Sequence, residues 1–530
     1  MKNPQKQSLS MKAGRNKVSY RLVERRKVSD MLDAMQGKSF SEKELHKIVK
    51  EMANLGSEVL PVCIAKLRTA PIDMLGLLCM IIEMLGDDDV IPDLVQLLSD
   101  DQLHDMNKTA ILSVLCYFGY DPTELPLERM FNNFINVAND SMDRLLENIA
   151  NEQDILPLML EEFGSFPAEF QTSLIEELAA RNDIRAVPLL LLFAKSRQSE
   201  LANRAIRALS DLACAEAAAA LQELTETGLV EVQPLVNREL IRLRMQGIHP
   251  KTTRKKQKRP ESLYKVLISA VDSQGNRGIW FAWRVPGTKT LLNSFNLLIN
   301  INQGLKDCWG TSRVKIKDFQ QMEQEVKEEF WILEDHLEYA YQILQDALKH
   351  NSLSGAPVPI EFAYWQRFLD EQKLVPQTFQ PSELPNLPTI DIDELSNSLS
   401  QHPFLRDWVL FDNRLFGFAE EFVQIKNQTR TETAYQRKWA LLLQKFAQQV
   451  VVEHLEEIKK QLSYNLDFCA KFAQEEHWHW TAALQQTMQS LEQVPLGPNP
   501  YLEKLALNSF NFVIENSHRN INLDDNLDEE

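Results

Sequence analysis

The sequence predicts a mainly α-helical protein: an N-terminal α-solenoid of stacked helical hairpins, then a small antiparallel β-meander, then a C-terminal helical domain. Three observations carry that expectation. A proline-marked repeat runs through the first half, a β-rich stretch punctuated by turn clusters follows it, and long amphipathic runs fill the last third.

The chain has 530 residues, 44% of them apolar, too many for one core and enough for two or three domains. The expected divisions are a basic, flexible arm over 1–35, the solenoid over 36–246, a basic linker over 247–262, a three-stranded module over 263–320, a helical domain over 321–520 and an acidic tail over 521–530. The longest apolar runs, Leu189 to Ala194 and Leu77 to Leu85 (the second interrupted by Glu83), fall short of the ~20 residues a bilayer requires, so no membrane span is expected. Lys2, Lys6 and Lys12 are not followed by the apolar segment of a secretory signal. Cysteines 63, 79, 116, 214, 308 and 469 are scattered singly, none in a C-x-x-C pair, which fits reduced thiols in a cytoplasmic protein and packing rather than zinc or disulfide chemistry. No cofactor is expected.

Charge is unevenly placed. Residues 1–30 carry nine basic and two acidic side chains, 31–246 carry 18 and 35, 247–260 carry six and none, and 261–530 carry 24 and 38. The acidic bodies would repel a phosphate backbone, whereas the two short basic segments suit an acidic partner, nucleic acid or the solenoid itself.

Residues 1–30 show little periodicity before Leu22 and read as an arm ending in a short helix toward Met35. Ser41 followed by Glu44 forms a capping box at the start of a helix over 42–55. An apolar residue then precedes proline at Leu60-Pro61, Ile91-Pro92, Leu125-Pro126, Leu156-Pro157 and Val187-Pro188, at separations of 31, 34, 31 and 31 residues. Proline is tolerated in a first helical turn, where its missing N–H has no partner to lose, so each marks a helix start. Leu67, Leu98, Phe131, Phe163 and Phe193 recur five or six positions later as a stripe for burial. A second amphipathic stretch follows in each unit, over 74–85, 106–118, 137–149, 169–180 and 202–212, and the less regular pair 215–225 and 231–245 would cap the array.

The apolar-Pro-x-Leu opening, as in Ile91-Pro92-Asp93-Leu94, and the Ala-rich second helix, as in Ala205, Ile206, Ala208 and Leu209, resemble HEAT repeats of the short bacterial kind. The resemblance covers about two fifths of the chain (residues 41–246) and does not extend into the C-terminal half. It implies a binding scaffold whose concave face meets a protein partner.

Gly247, Pro250 and Pro260 bracket a linker carrying Lys251, Arg254, Lys255, Lys256, Lys258 and Arg259, a candidate polyanion contact of salt-steep, sequence-blind character. Three strands are expected over 264–271, 277–284 and 291–301, separated by Asp272-Ser273-Gln274-Gly275-Asn276 and Pro286-Gly287. After Gly304 and Gly310 the chain is expected to return to helix: one long helix over 317–350, a short aromatic helix near 362–368 within a proline-rich passage, and helices near 412–425, 431–462, 465–491 and 501–517.

Two constellations carry candidate chemistry. Glu476 and His479 have the E-x-x-H spacing of di-iron ligands, with Glu453 and His454 expected on a neighbouring helix. Alternating His and Trp fall on different helix faces, so the segment also reads as an aromatic patch. Asp272 and Arg277, with Asp307 nearby, flank a strand turn where Asp, Asn and Gly serve equally as ordinary hairpin residues. Phosphate-loop, dinucleotide, nucleophile-elbow and zincin motifs are absent from the sequence. The sequence therefore points to a non-enzymatic protein-interaction scaffold. The alternatives are an enzyme with a carboxylate and histidine site in the C-terminal helices, or a nucleic-acid-associated protein.

Overall fold

The computed structural model describes residues 21, 23–36, 38, 42–120, 125–151, 155–227, 229–250, 262–370, 373–381, 387–402, 405–472, 474–493, 495–497 and 499–516. It is mainly helical with a small antiparallel sheet of five strands in the middle. The chain divides into two compact units, Met1–Glu147 and Asn148–Glu530. Ser41 of the expected capping box and the acidic tail lie outside the described residues.

In the first unit, helix α1 spans residues 23–35, within what the sequence suggests is an arm; Val28 and Leu32 explain it, because both enter the core of this unit. Helices α2 (Glu42–Ala53), α3 (Val59–Leu67), α4 (Ile72–Leu85), α5 (Ile91–Leu98), α6 (Asp105–Tyr117), α7 (Leu127–Met130) and α8 (Phe134–Asn151) follow, the last running past the unit's end. Pro61 lies in the first turn of α3 and Pro92 in that of α5, and Pro126 sits at the N-cap of α7. The stripe residues Leu67, Leu98 and Phe131 are buried. Consecutive helices pair, α3 with α4 and α5 with α6, and the second helices α4 and α6 also touch.

Polar side chains tie one pair to the next where helix ends leave carbonyls and amides unpaired. Asn107, buried on α6, donates to the carbonyls of Leu67 and Ala70 at 2.7 and 3.1 Å. Asp105 accepts from the backbone of Asn132 and Asn133, at 2.8 Å each. Lys108, fully buried, donates to Met130 O.

In the second unit, α9 (Leu156–Ser165), α10 (Ala168–Ala180), α11 (Val187–Ala194), α12 (Ser199–Asp211), α13 (Ala215–Thr227) and α14 (Gln233–Met245) continue the pairing. First helix touches first helix (α11 and α13) and second touches second (α10 with α12, α12 with α14). Phe163 and Phe193 are buried and stack at 4.3 Å. One device recurs in both units: an aspartate five residues before the proline caps a single 3₁₀ turn. Asp87 accepts from Asp89 N at 3.1 Å ahead of α5, and Asp183 accepts from Arg185 N at 2.8 Å ahead of α11.

The sheet has strand order β4-β3-β2-β1-β5, with β1 Leu263–Ser269, β2 Asn276–Arg284, β3 Leu291–Asn300, β4 Gly304–Lys315 and β5 Ile332–Glu334. The expected three-strand meander thus gains a fourth strand, and a fifth pairs with β1. The two glycines that suggested a return to helix are strand positions where neighbours come close. Gly304 has φ +101°, and a Cβ there would strike Asn351 and the Ala347 carbonyl; a Cβ on Gly310 would meet Ser294 O at 2.5 Å and the Trp365 ring at 2.7 Å. The single helix expected over 317–350 is two helices, α15 (Ile316–Glu329) and α16 (Leu337–Ser354), separated by β5. Ile332 and Leu333 are both buried in that strand, and Asp335, just after its end, has φ 60°.

One sheet face packs on α16 and on α17 (Phe362–Trp365), where Phe281, Phe295 and Trp365 stack with centroids 4.9 and 5.3 Å apart. The C-terminal helices α18 (Ile392–Gln401), α19 (Leu415–Gln428), α20 (Glu432–Phe446), α21 (Val452–Ala470), α22 (Gln474–Ser490) and α23 (Pro500–Asn516) enclose their own core around Phe446, Phe510 and Trp439. A π-helical turn, Ala447–Val451, joins α20 to α21. The expected break between 462 and 465 falls instead after Ala470, because Tyr464, Asn465 and Phe468 are buried on one continuous helix.

Replacing Asn107 by Ala strands two carbonyls and should cost roughly 1–3 kcal/mol in urea unfolding. Asn132→Ala, which removes one more exposed bond to Leu103 O, should cost less than about 1 kcal/mol. Equal effects would contradict the tie assigned to Asn107.

Candidate functional site

The β1–β2 turn uses Asp272 as a turn residue. Its Oδ1 accepts from the backbone of Gln274 at 2.9 Å and of Asn276 at 2.7 Å, around Gly275 at φ +84°. Arg277 instead points inward beneath the sheet and is 2% exposed. Nη2 donates to Ser269 O at 2.9 Å, while Nε and Nη1 meet no acceptor. Its guanidinium lies 5.6 Å from the Tyr339 ring centre on α16 and 5.8 Å from that of Phe468 on α21. The two aromatic faces favour its charge there; burial, with Asp467 adding to it, raises the Tyr339 hydroxyl above its usual range, and Arg277 opposes the shift. Asp272 and Arg277 do not form a joint ligand site: one carboxylate holds a turn, and one cation is locked in a seam. Asp307 lies within β4, exposed and opposite Leu298.

The seam is polar because α21 reads the ends of the hairpins. Asn465, fully buried, makes two 2.8 Å bonds to the N–H and C=O of Val271. Gln461 donates to Ser273 O at 3.0 Å and Lys460 to Ile301 O at 2.7 Å. Tyr464 reaches Asp346 on α16 at 2.5 Å while its ring stacks on Phe379.

Glu453 and His454 come together with two residues the sequence reading missed. His454 Nε2 lies 3.0 Å from Asp412 Oδ2. Arg414 grips the same carboxylate through Nε at 2.8 Å and Nη2 at 2.5 Å, and reaches Glu453 at 2.8 Å. The Arg414 bonds, then the His454 bond, hold Asp412 well below the usual carboxylate range. The π-helical turn shifts the register just ahead of these two residues, and its Gln449 carbonyl accepts from Arg414 at 2.6 Å. Chemically this is an oriented histidine beside a bidentate ion pair. Its signal in the sequence is Asp412-x-Arg414, a spacing that only a helix-start turn makes meaningful.

His479 belongs to a different neighbourhood. The short α21–α22 connection sets Glu453 and His479 roughly 18 Å apart along paired helices at 1.5 Å per residue. The side chain of Glu476 lies outside the described residues, as do Lys251, Arg254, Lys255, Lys256, Lys258 and Arg259. Among the described residues no group of three His, Cys, Asp or Glu side chains could hold a metal ion. His479 faces Trp480 at 5.0 Å, and Trp480 and Trp331 close over His402, at 5.8 and 6.0 Å. His402 is fully buried, and its pKa falls to about 3, from burial first and the His479 charge second.

Two further groups were not legible. Glu361, buried, stands where a Cβ on Gly164 would meet its Oε1 at 2.7 Å. Burial, then the like charges of Asp307 and Glu161, push it up to about 7. Arg197 lines a cavity of about 510 Å³ with Glu231, Leu348 and Val358; it donates to Leu374 O at 3.1 Å, and its Nε has no acceptor.

No protein-family model, curated protein or solved structure matches the chain.

The two shifted groups make opposite pH predictions. His402 is depressed from 6.5, so the unfolded chain takes up its proton first and the native state loses stability as pH falls below about 6.5. From pH 7 to 5 this amounts to about 2 kcal/mol. Imidazole nitrogen shifts should report a neutral His402 down to pH 4, and protonation near 6.5 would contradict its enclosure. Glu361 is raised, so its ionisation destabilises the fold as pH rises from about 4.5 through 7. Glu361→Gln should stabilise the protein at pH 8 by roughly 2–3 kcal/mol and leave it unchanged at pH 4.5. Equal unfolding midpoints at pH 8 would contradict this.

Proposed function

We propose that the protein is a cytoplasmic, non-enzymatic scaffold whose helical pairs over residues 41–246 stack as HEAT-like repeats and offer a concave face to a protein partner. The observation that supports this reading is where large apolar side chains remain in contact with water. In the first unit, Ile72 and Met84 on α4, Tyr117 on α6 and Ile135 on α8 are exposed, Ile135 by 72%. In the second unit, Phe170 on α10 and Ile241 and Met245 on α14 are exposed, Met245 by 84%. All of these lie on second helices of their pairs. Among the described residues the first helices α3, α5, α11 and α13 expose no large apolar side chain, and Leu158 on α9 is the exception.

Scattered apolar exposure is ordinary on a protein surface. Exposure weighted toward the second helices is less so, because within the first unit α4 touches α6, and within the second α12 touches α10 and α14, which sets their outer faces side by side. The acidic excess over 31–246 favours a partner with an apolar strip bordered by basic residues. The six free thiols fit a reducing compartment. No helix among the described residues is long and apolar enough to cross a membrane. Neither the enzymatic reading nor the nucleic-acid reading gains an observation of comparable weight.

Affinity capture with the full chain, from a lysate of its own organism, tests the proposal. A variant carrying Ile72→Asp, Tyr117→Asp, Phe170→Asp and Ile241→Asp should keep the parent's thermal midpoint, since these side chains touch water already, and lose its partner at least tenfold. Retention of every partner by that variant would reject the reading.

A further inference from the structure

Among the described residues, the sheet face opposite α16 carries a packed helix at one end. There α15 sets Phe319 against Ala282 and Leu292, with Tyr264 and Val314 beside them. Toward the other end, strand register places Trp280, Asn296 and Trp309 in one row across β2, β3 and β4, and Gly278, Leu298 and Asp307 in the next. Residues two apart on a strand share a face, and neighbouring strands lie about 4.8 Å apart, so the two indoles are anchored roughly 10 Å from each other.

The arrangement is built rather than incidental. A Cβ on Gly278 would collide with the far edge of the Trp280 indole, so that ring lies flat along the sheet over the bare glycine. Trp309 is held at its nitrogen: with the Asn296 amide oxygen turned toward it, Nε1 donates to Asn296 at 2.8 Å, and the amide nitrogen donates to Phe295 O at 3.3 Å. Both Trp309 and Phe330 are exposed, and the Phe330 ring lies 6.1 Å from that of Trp280. The six positions contain an exposed carboxylate, Asp307, an amide and no basic residue.

We infer that this face is a saccharide-binding platform, on which the C–H faces of two sugar rings of one chain, separated by an intervening ring, stack on Trp280 and Trp309 while hydroxyls bond to Asp307 and Asn296. Charge selects this occupant. Flat indoles would also accept nucleobases, but a phosphodiester chain would approach Asp307, and none of the six positions offers it a cation. A neutral polyhydroxylated chain meets acceptors it can donate to, and the two-strand interval suits rings that recur along an oligosaccharide. The site is independent of the helical pairs and of the scaffold reading.

A glycan microarray probed with the full chain, followed by tryptophan-fluorescence titration of a retained oligosaccharide, tests it. The wild-type chain should retain at least one oligosaccharide class. Trp280→Ala and Trp309→Ala should each weaken it tenfold or more. Gly278→Val, which keeps both indoles but lifts Trp280 from the sheet, should do likewise, and the exposed change Asp307→Asn should weaken it at least threefold while the chain stays folded. Retention of no glycan, undiminished retention by the two tryptophan variants, or capture of single-stranded oligothymidine in place of glycans would overturn the inference.

Discussion

A pair of short helices can bury only one flank with its own residues, and the helical half of this protein depends on covering the other. In the first unit Leu67, Leu98 and Phe131 close that flank one pair after another; in the second, Phe163 stacks directly on Phe193. Nearest-neighbour burial of this kind leaves helix ends facing adjacent pairs, where unpaired backbone groups must be satisfied. Asn107, Asp105 and Lys108 meet that need in the first unit, and the aspartate-capped turns at Asp87 and Asp183 set the entry of the proline-led helices. Apolar burial supplies the driving force, and these side chains fix the spacing.

The C-terminal part solves a different problem, joining a sheet to a helical bundle through a polar seam. Asn465 clamps both backbone groups of Val271, and Arg277 lies sealed between Tyr339 and Phe468. Removing one member of such a seam leaves its partners buried and unpaired, which is costlier than the bond itself. The same consideration separates Arg277 from the Asp412–Arg414–His454 cluster, where the Asp412–Arg414 ion pair is partly open to water and is held at modest cost.

What the sequence made legible followed from local periodicity. Proline in a first turn and an aromatic or leucine five or six residues later are both short-range signals, and they located α3, α5, α9 and α11 and their buried residues. The early strands were legible for the same reason. The later ones were not: Gly304 and Gly310 owe their identity to Asn351 and Trp365, which approach from elsewhere in the chain, and β5 is only three residues long. The candidate residues divide likewise. Asp272 behaves as its turn composition suggests. His454 acquires its partner from Asp412 and His402 its enclosure from Trp331 and Trp480, and such long-range placement leaves no mark on spacing along the chain.

On the proposed function, the outward faces of the second helices in each unit meet the partner. Hydrogen exchange of the full chain, alone and with a captured partner, addresses it directly. Protection concentrated in 72–85, 105–117, 168–180 and 233–245 is the predicted result. Protection confined to the sheet or to the helices beyond residue 390, with those four segments unchanged, would contradict it.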